Sequence, residues 1–443
     1  MSTVVTRIPP SPTGRLHIGT ARTALFNYLF AKHEGGKFIF RSEDTDKTRS
    51  KKEFEDEIIE GLTWLGLSWD SFSRQSENAT RHQQLLEKII AEGKAYLSKE
   101  PAKDDATKMV EVVRLKNPGK TITFTDEIRG DITFDTTELG DFVLAKSLSE
   151  PLYHFAVVVD DADAGVTHVI RGEDHISNTP RQILIQEALG VARPVYAHLP
   201  LILGPDRAKL SKRKSPTSLA DYRAEGFLPE GLINYLALLG WNPGTEQEDF
   251  SLPELVEAFS FKGVQKSGAI WSREKLLSVN QRWMRKMGDE AFLTALNAPS
   301  SLDATIVAKA LPLIKDRAST FGEAREMLSG ELSCLFEEPN PAKETLLLKN
   351  PSERPNVAKT ALEVLLEALN GLPEGLSAEE VKETLMPYAD RNPKETGGRG
   401  AILWPLRYAL SGQERSPDPF TLIAILGKKT SMSRIQKALG ILG

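Results

Sequence analysis

The order of apolar runs predicts an α/β fold: one doubly wound parallel sheet, split by a small α+β insertion and followed by an all-α C-terminal region. Three observations carry this. Strand-like and helix-like runs alternate over residues 1–96 and again over 154–207. Between them, over 97–153, short β-type runs are punctuated by Gly119, Gly130 and Gly140. From Ser218 onward apolar residues keep helical spacing without strands between them. At 443 residues the chain is too long for one compact core. The expected segments are 1–96, 97–153, 154–207, 208–290 and 291–443.

Val4 to Ile8 reads as a strand, and Ala21, Leu25 and Leu29, with Phe26 and Phe30 beside them, read as the helix that follows. Gly35-Gly36 stops that helix, and Lys37 to Arg41 is the next strand. Phe54, Ile58, Leu62 and Leu65 mark a second helix, and Leu85, Leu86, Ile89 and Ile90 a third, from Asn78 to Gly93. Lys99 to Lys108 is polar and is expected to be a loop. Val110–Leu115, Thr121–Thr125, Asp131–Phe134 and Phe142–Ala145 are the strands of the insertion. The apolar run Phe155–Val159, the strand Thr167–Arg171, a helix from Asn178 to Leu189 closed by Gly190, and the strand Val195–Leu203 complete the sheet. Leu219 to Gly240 and Pro253 to Phe259 open the helical part. Within it, Pro339–Pro355 reads as a connector and Asn392–Gly400 as an exposed mobile loop.

Composition excludes several classes. A lone Cys334 makes no intrachain disulfide and no multi-cysteine zinc site. No apolar run approaches the roughly 18 residues of a membrane span, and the N-terminus lacks the pattern of a signal peptide. A cytoplasmic protein that does not engage the membrane is therefore expected. The net charge of -5 says little about nucleic acid, because a phosphate backbone senses charge within about 8 Å. Local clusters matter more. One runs from Arg207 to Lys214 with no acid among its residues; another is Lys428, Lys429, Arg434 and Lys437, for which a solvated surface is the plain alternative.

Two segments carry chemistry. Ile8-Pro9-Pro10-Ser11-Pro12-Thr13-Gly14-Arg15-Leu16-His17-Ile18-Gly19-Thr20 is a Pro- and Gly-rich turn between a strand and a helix. The first N–H groups of a helix lack partners within it and face any anion placed there, so a nucleotide phosphate suits this turn, with the His17 imidazole as a further donor. Lys209-Leu210-Ser211-Lys212-Arg213 follows a strand of the same sheet, at the carboxyl end where doubly wound sheets bind ligands. Two lysines there would neutralise charge as a phosphoryl bond breaks. Alone, five such letters read as surface charge.

Together, His17-Ile18-Gly19-Thr20 and Lys209-Leu210-Ser211-Lys212-Arg213 resemble the signature pair of class I aminoacyl-tRNA synthetases. Arg41-Ser42-Glu43-Asp44-Thr45-Asp46, Tyr153-His154-Phe155, Val159-Asp160-Asp161, Val169 to His175, Asn178-Thr179-Pro180-Arg181-Gln182, Gly226 to Glu230 and Pro405 to Gly412 resemble the glutamyl-tRNA synthetase family, in order and over nearly the whole length. The resemblance implies a Rossmann-like catalytic domain, an acceptor-stem-binding insertion, a stem-contact domain and a helical anticodon-binding region in a monomer. It implies activation of L-glutamate with ATP and Mg²⁺ and transfer to tRNA(Glu), or to tRNA(Gln) as well; the family generally needs tRNA before it activates glutamate. His17 and Gly19 would hold the ATP phosphates, Lys209, Ser211 and Lys212 the α-phosphate and leaving pyrophosphate, and Asp174, Leu201 and Ile202 the rest of the nucleotide. Arg7 and Arg171 would select glutamate over glutamine, since a guanidinium bonds a carboxylate with charge assistance and leaves donors unsatisfied against an amide. Glu43 would bind the substrate ammonium, and Ser11 and Tyr153 would add hydrogen bonds. The structural alternatives are an Arg7–Glu43 pair and a strand aromatic at Tyr153.

Three positions depart from the family pattern. Val157 stands where an asparagine usually touches the amino acid, Pro9 where an alanine is usual, and 97–110 lacks the cysteines of zinc-binding relatives, so no zinc is expected. Four other readings compete. A short paralogue that modifies a tRNA base, a glutaminyl-tRNA synthetase ending in β-barrels and a small-molecule nucleotidyltransferase all conflict with the helical tail beyond Arg282. A non-catalytic tRNA-binding relative conflicts with intact His17, Lys209 and Lys212.

Overall fold

The computed structural model describes residues 3–102, 107–208, 210, 218–349, 356–394 and 397–443. The chain divides into two compact units, residues 1–280 and 281–443. In the first, β1 (Val5–Ile8), α1 (Ile18–His33), β2 (Lys37–Ser42), α2 (Lys52–Trp64) and β3 (Ser71–Arg74) form a parallel β1-β2-β3 sheet with its crossover helices. Phe38 and Phe40 of β2 are buried with Leu25 and Leu29 of α1. Gly36 admits the sharp return between α1 and β2, since a Cβ there would lie 2.2 Å from the Val4 carbonyl oxygen. After α3 (Ala79–Ala91) the chain enters the inserted strands.

There β4 (Ala95–Pro101) and β5 (Met109–Leu115) pair antiparallel, β6 (Thr121–Asp126) and β7 (Gly130–Asp135) form a hairpin, and β8 (Val143–Ser147) with β9 (Glu150–Pro151) completes a β4-β5-β8-β9 sheet. Lys99 to Pro101, expected in a loop, belong to β4 and pair with Met109 to Glu111. Backbone pairing in a hairpin overrides the polar side chains that suggested a loop there.

The α/β pattern returns with α4 (Tyr153–Asp163), β10 (His168–Gly172), α5 (Thr179–Leu189), β11 (Val195–Leu199) and β12 (Ile202–Leu203). The apolar run Phe155–Val159 is helical, and Pro200 separates β11 from β12 within the single strand expected there. β10 and β11 are parallel, and β6 joins β11 in one β10-β11-β6-β7 sheet. The insertion thus shares a sheet with the second half of the doubly wound domain. It shares a core as well: Leu86, Val113, Leu144, Phe155, Val158 and Ile183 lie in one buried cluster. Val5 N–H donates to Thr167 Oγ1 (2.8 Å) and Thr167 N–H to the Val5 carbonyl (3.0 Å), which sets β10 beside β1. The chain thus crosses over between β1 and β10, and ligands of such sheets lie at the carboxyl ends of the flanking strands.

The expected helix Leu219–Gly240 is two, α6 (Leu219–Ala224) and α7 (Pro229–Leu238), broken at Gly226, whose φ of 84° is costly for other residues. α8 (Leu252–Ala258) opens with a Ser251–Glu254 capping box, β13 (Ala269–Ile270) pairs with β12, and α9 (Arg273–Lys286) leads into the second unit.

The second unit is helical: α10 (Asp289–Leu296), α11 (Ala304–Arg317), α12 (Phe321–Ser329), α13 (Lys343–Leu346), α14 (Val357–Asn370), α15 (Ala378–Asp390), α16 (Gly398–Ser411), α17 (Pro419–Leu426) and α18 (Lys428–Leu442). The connector Pro339–Pro355 contains α13, and the loop expected over Asn392–Gly400 gives way to α16 at Gly398. Of the cluster Lys428, Lys429, Arg434 and Lys437, Lys429 and Lys437 are exposed, as the surface alternative has it, whereas Arg434 is buried. Lys428 Nζ donates to the Asn370 and Leu372 carbonyls, Arg434 to those of Cys334, Leu410 and Glu337, and Lys437 to that of Pro339. These cations satisfy helix-end and loop carbonyls. Among the described residues no helix is long and apolar enough to cross a membrane.

Candidate active site

At the carboxyl ends of β1 and β10 lies a cavity of about 440 Å³. Arg7 and Ile8 of β1, His17, Gly19 and Arg22 near the start of α1, and Arg171 of β10 line it. So do Pro9, Ser11, Glu43, Tyr153, Asp174, Leu201, Ile202 and Leu210. Every expected site residue that is described therefore meets in one place. Lys209, Ser211 and Lys212 lie outside the described residues, as do Arg213 and Lys214. Leu210, between them, lines the cavity and donates its N–H to the Ile202 carbonyl (3.1 Å).

His17 is the N-cap of α1, with φ −82° and ψ 143°, and its Nδ1 accepts the Gly19 N–H at 3.0 Å. The ring therefore takes one of the helix-start donors that the sequence assigned to an anion. A ring nitrogen that accepts carries no proton, so the neutral imidazole holds its proton on Nε2. Gly19 belongs to the same geometry: a Cβ there would lie 3.2 Å from His17 Nδ1.

The amino-acid side of the cavity is a buried charge network. Arg7, 2% exposed, directs Nε at both oxygens of Asp161 (3.2 Å each), and its buried Nη1 makes no hydrogen bond among the described residues. Arg41 Nη1 donates to Asp161 Oδ1 at 2.8 Å, and Arg41 Nη2 to Glu43 Oε1 at 3.5 Å. The expected alternative, Arg7 paired with Glu43, is not what forms: Asp161 holds Arg7, and Arg41 holds Glu43. Asp160 is fixed from behind by Gln75, Asn78 and His82, each at 2.7 Å. Burial pushes the Glu43 carboxyl up to about 7, against the pull of Arg41.

Arg171 is 6% exposed and has no carboxylate within ion-pair distance among the described residues. Its hydrogen bonds go to neutral acceptors: Nε to His198 Nε2 (3.1 Å), Nη1 to Gln182 Oε1 (2.7 Å) and Nη2 to Thr179 Oγ1 (2.8 Å). Burial lowers its pKa, as expected for a cation held without an anion. Tyr153 opens α4 rather than sitting in a strand, and its hydroxyl lies 3.5 Å from His175 Nδ1. Val157 is packed in the core cluster and is not a cavity wall, whereas Pro9 is one.

On the nucleotide side, the Leu201 N–H donates to Glu173 Oε1 at 2.8 Å, which fixes the apolar pair Leu201 and Ile202. Gly172 lets the next turn fold tightly, since a Cβ there would come within 2.5 Å of Asp174 Oδ1. Arg22 was not anticipated. It is buried, donates to the Pro200 and Leu239 carbonyls, and burial lowers its pKa to about 10. Its signal was present: an arginine beside Ala21 and Leu25 on a buried helix face. Asp161 stands in the Val159-Asp160-Asp161 motif, and nothing in its spacing marks it as the clamp on Arg7.

A cavity with uncompensated guanidinium donors on one side, a histidine-capped helix start on the other and an apolar shelf beside it fits an anionic amino acid next to a nucleotide. The family model "tRNA synthetases class I (E and Q), catalytic domain" matches residues 3–109 and 97–278, and an "Anticodon binding domain" matches 279–439. A glutamate–tRNA ligase of Heliobacterium modesticaldum is 38% identical, over 100% of this chain and 98% of its own length. One from Aquifex aeolicus is 39% identical, over 99% of each. A crystal structure of a glutamate–tRNA ligase from Elizabethkingia meningosepticum, in complex with its amino acid, superposes with a TM-score of 0.85 at 32% identity, covering 100% of both chains.

Proposed function

The chain belongs to the class I tRNA synthetases as a glutamate–tRNA ligase, and from that premise we propose what each residue of the cavity does. The family joins glutamate to tRNA at the expense of ATP. Arg7 receives a substrate carboxylate on Nη1, which has no partner among the described residues, and Arg171 receives the other, both held as preformed donors. Glu43, in its ionised form, binds the ammonium. Ser11 and Tyr153 add hydrogen bonds. Leu201 and Ile202 pack the adenine, with Asp174 nearby, and His17 Nε2–H and the α1 start hold phosphate.

Lys209, Ser211 and Lys212 neutralise the α-phosphate and leaving pyrophosphate while the glutamate carboxylate attacks. No covalent enzyme intermediate is needed; the work is positioning and charge stabilisation. Among the described residues no three carboxylate, thiolate or imidazole groups converge as a metal site. Mg²⁺ comes as the counter-ion of the ATP phosphates, with no step assigned to protein ligands. We place this activity in the cytoplasm, in a monomer. Residues 97–153 contact the acceptor stem, 208–290 the stem, and 291–443 read the anticodon of tRNA(Glu).

The observation that carries this reading is the Arg7 Nη1 donor, buried at the cavity and without a partner among the described residues. The test is ATP–pyrophosphate exchange with tRNA(Glu) present. His17→Ala and Lys212→Ala depress kcat far more than tRNA affinity, because their contacts strengthen in the transition state. Near-normal exchange in either variant sinks its assignment.

A further inference from the structure

Arg171 ends a buried chain of three side chains that reaches into the inserted hairpin. Its Nε donates to His198 Nε2 at 3.1 Å, and His198 Nδ1 lies 2.6 Å from Asp126 Oδ2. His198 is fully buried on β11, and Asp126, 1% exposed, ends β6 of the insertion. A guanidinium only donates, so His198 Nε2 accepts and its proton sits on Nδ1, given to Asp126. Burial keeps the ring below its ordinary pKa and hence neutral. Asp126 is itself tightly held: Oδ1 accepts from the Ile128 (3.0 Å) and Arg129 (2.9 Å) N–H groups, and both oxygens lie near the His198 N–H (3.3 and 3.1 Å). Thr179 Oγ1, 3.3 Å from His198 Nε2, closes the arrangement against Arg171.

We propose that His198 and Asp126 are positioning residues for Arg171: Asp126 fixes the His198 tautomer, and the acceptor so presented orients the guanidinium toward the glutamate carboxylate. The inference rests on the reading that Arg171 binds glutamate. Three of the five N–H groups of Arg171 are used, by His198, Gln182 and Thr179, and one on each terminal nitrogen remains. Without an acceptor opposite Nε, the buried cation turns to satisfy that donor, and its terminal pair leaves the cavity. The arrangement also makes the β6–β7 turn part of the amino-acid site. Arg129, from that turn, reaches Glu173 Oε2 at 2.6 Å, and Glu173 holds the Leu201 N–H.

Asp126→Asn discriminates between this role and mere packing. The Ile128 and Arg129 N–H groups keep the amide oxygen at the Oδ1 position, so the amide nitrogen replaces Oδ2 and donates to His198 Nδ1. The ring proton moves to Nε2 and opposes the Arg171 Nε–H, donor against donor. His198→Leu removes the acceptor altogether, while His198→Gln keeps an oxygen opposite Arg171. Pyrophosphate exchange on the full chain with tRNA(Glu) present reads kcat/KM for glutamate and KM for ATP, with thermal unfolding followed alongside. The expected result is a fall of tenfold or more in glutamate kcat/KM for Asp126→Asn and His198→Leu, ATP KM within twofold, and His198→Gln within threefold of the parent.

Three results overturn the proposal: glutamate kcat/KM within twofold in Asp126→Asn and His198→Leu, ATP and glutamate KM rising together, or His198→Gln as impaired as His198→Leu. If Asp126→Asn does not fold, the two His198 variants decide. Arg171→Gln separates the premise from the inference. An unchanged glutamate KM there defeats both, whereas a raised KM beside unaltered Asp126 and His198 variants defeats the positioning role alone.

Discussion

Replacing Arg7 with lysine removes the feature on which glutamate selection is proposed to rest. Arg7 performs two tasks: Nε holds Asp161 at 3.2 Å from each oxygen, while Nη1, buried and without a partner among the described residues, faces the cavity. A lysine has one nitrogen and cannot span both. Arg7→Ala is the poorer test, since breaking a buried ion pair costs about 3–5 kcal/mol and confounds activity with folding. Lysine keeps the charge beside Asp161, which Arg41 also holds at 2.8 Å. The substrate then loses one charge-assisted hydrogen bond, worth about 1.5–3 kcal/mol. At about 1.4 kcal/mol per decade, glutamate kcat/KM falls about tenfold to a hundredfold. Pyrophosphate exchange with tRNA(Glu) present, run with glutamate and with glutamine, reads it. KM for ATP stays within twofold and the preference over glutamine narrows, because the lost bond is the one an amide cannot match. A glutamate kcat/KM within twofold of the parent refutes the role of Arg7.

Other expectations follow from neighbouring residues. With Glu43 pushed up to about 7 by burial, the ionised form that binds the ammonium is lost as pH falls through that value. Glutamate KM therefore rises below about pH 7, and Glu43→Gln flattens the profile at a high KM. The same shift opposes folding once pH exceeds the ordinary carboxylate range: the folded state binds the proton more tightly, so stability declines between about 4.5 and 7. Denaturation of Glu43→Gln shows a weaker decline across that window. Arg22→Met leaves the Pro200 and Leu239 carbonyls without their donor, at about 1–3 kcal/mol each, which urea unfolding of the full chain reads as a lower midpoint. Gly36→Ala sets a Cβ 2.2 Å from the Val4 carbonyl oxygen and costs about 3 kcal/mol or more, visible in the same unfolding curve.

Much of this architecture is readable from local pattern. The alternation of Val4–Ile8, the Ala21–Leu29 stripe and Lys37–Arg41 yields β1, α1 and β2 with nearly their observed bounds. His17, Gly19, Arg7, Glu43 and Arg171, spread over more than 150 residues of sequence, meet at one cavity, which the two signature segments anticipated. What escaped was long-range. The pairing of β6 with β11 depends on a single register contact, Tyr196 with Asp126, between strands about 70 residues apart. No periodicity in either strand announces it, and the insertion therefore reads as separate from the sheet it joins. Arg7 finding Asp161 instead of Glu43 has the same cause. The choice is made by Arg7 of β1 and Arg41 of β2 meeting one carboxylate of α4, not by spacing along the chain. In the C-terminal basic cluster, charge alone does not separate the exposed Lys429 and Lys437 from Arg434, which is buried and donates to the Cys334 carbonyl.

Aminoacylation with labelled glutamate is the most direct test of the central claim. The purified full chain, ATP, Mg²⁺ and either tRNA(Glu) or tRNA(Gln) are mixed, and acid-precipitable label is counted against glutamine and aspartate controls. Glutamate is predicted to load onto tRNA(Glu), with charging of tRNA(Gln) in the parallel arm setting the breadth of its tRNA choice. Failure to load glutamate on both tRNAs, with another amino acid accepted in its place, contradicts the account.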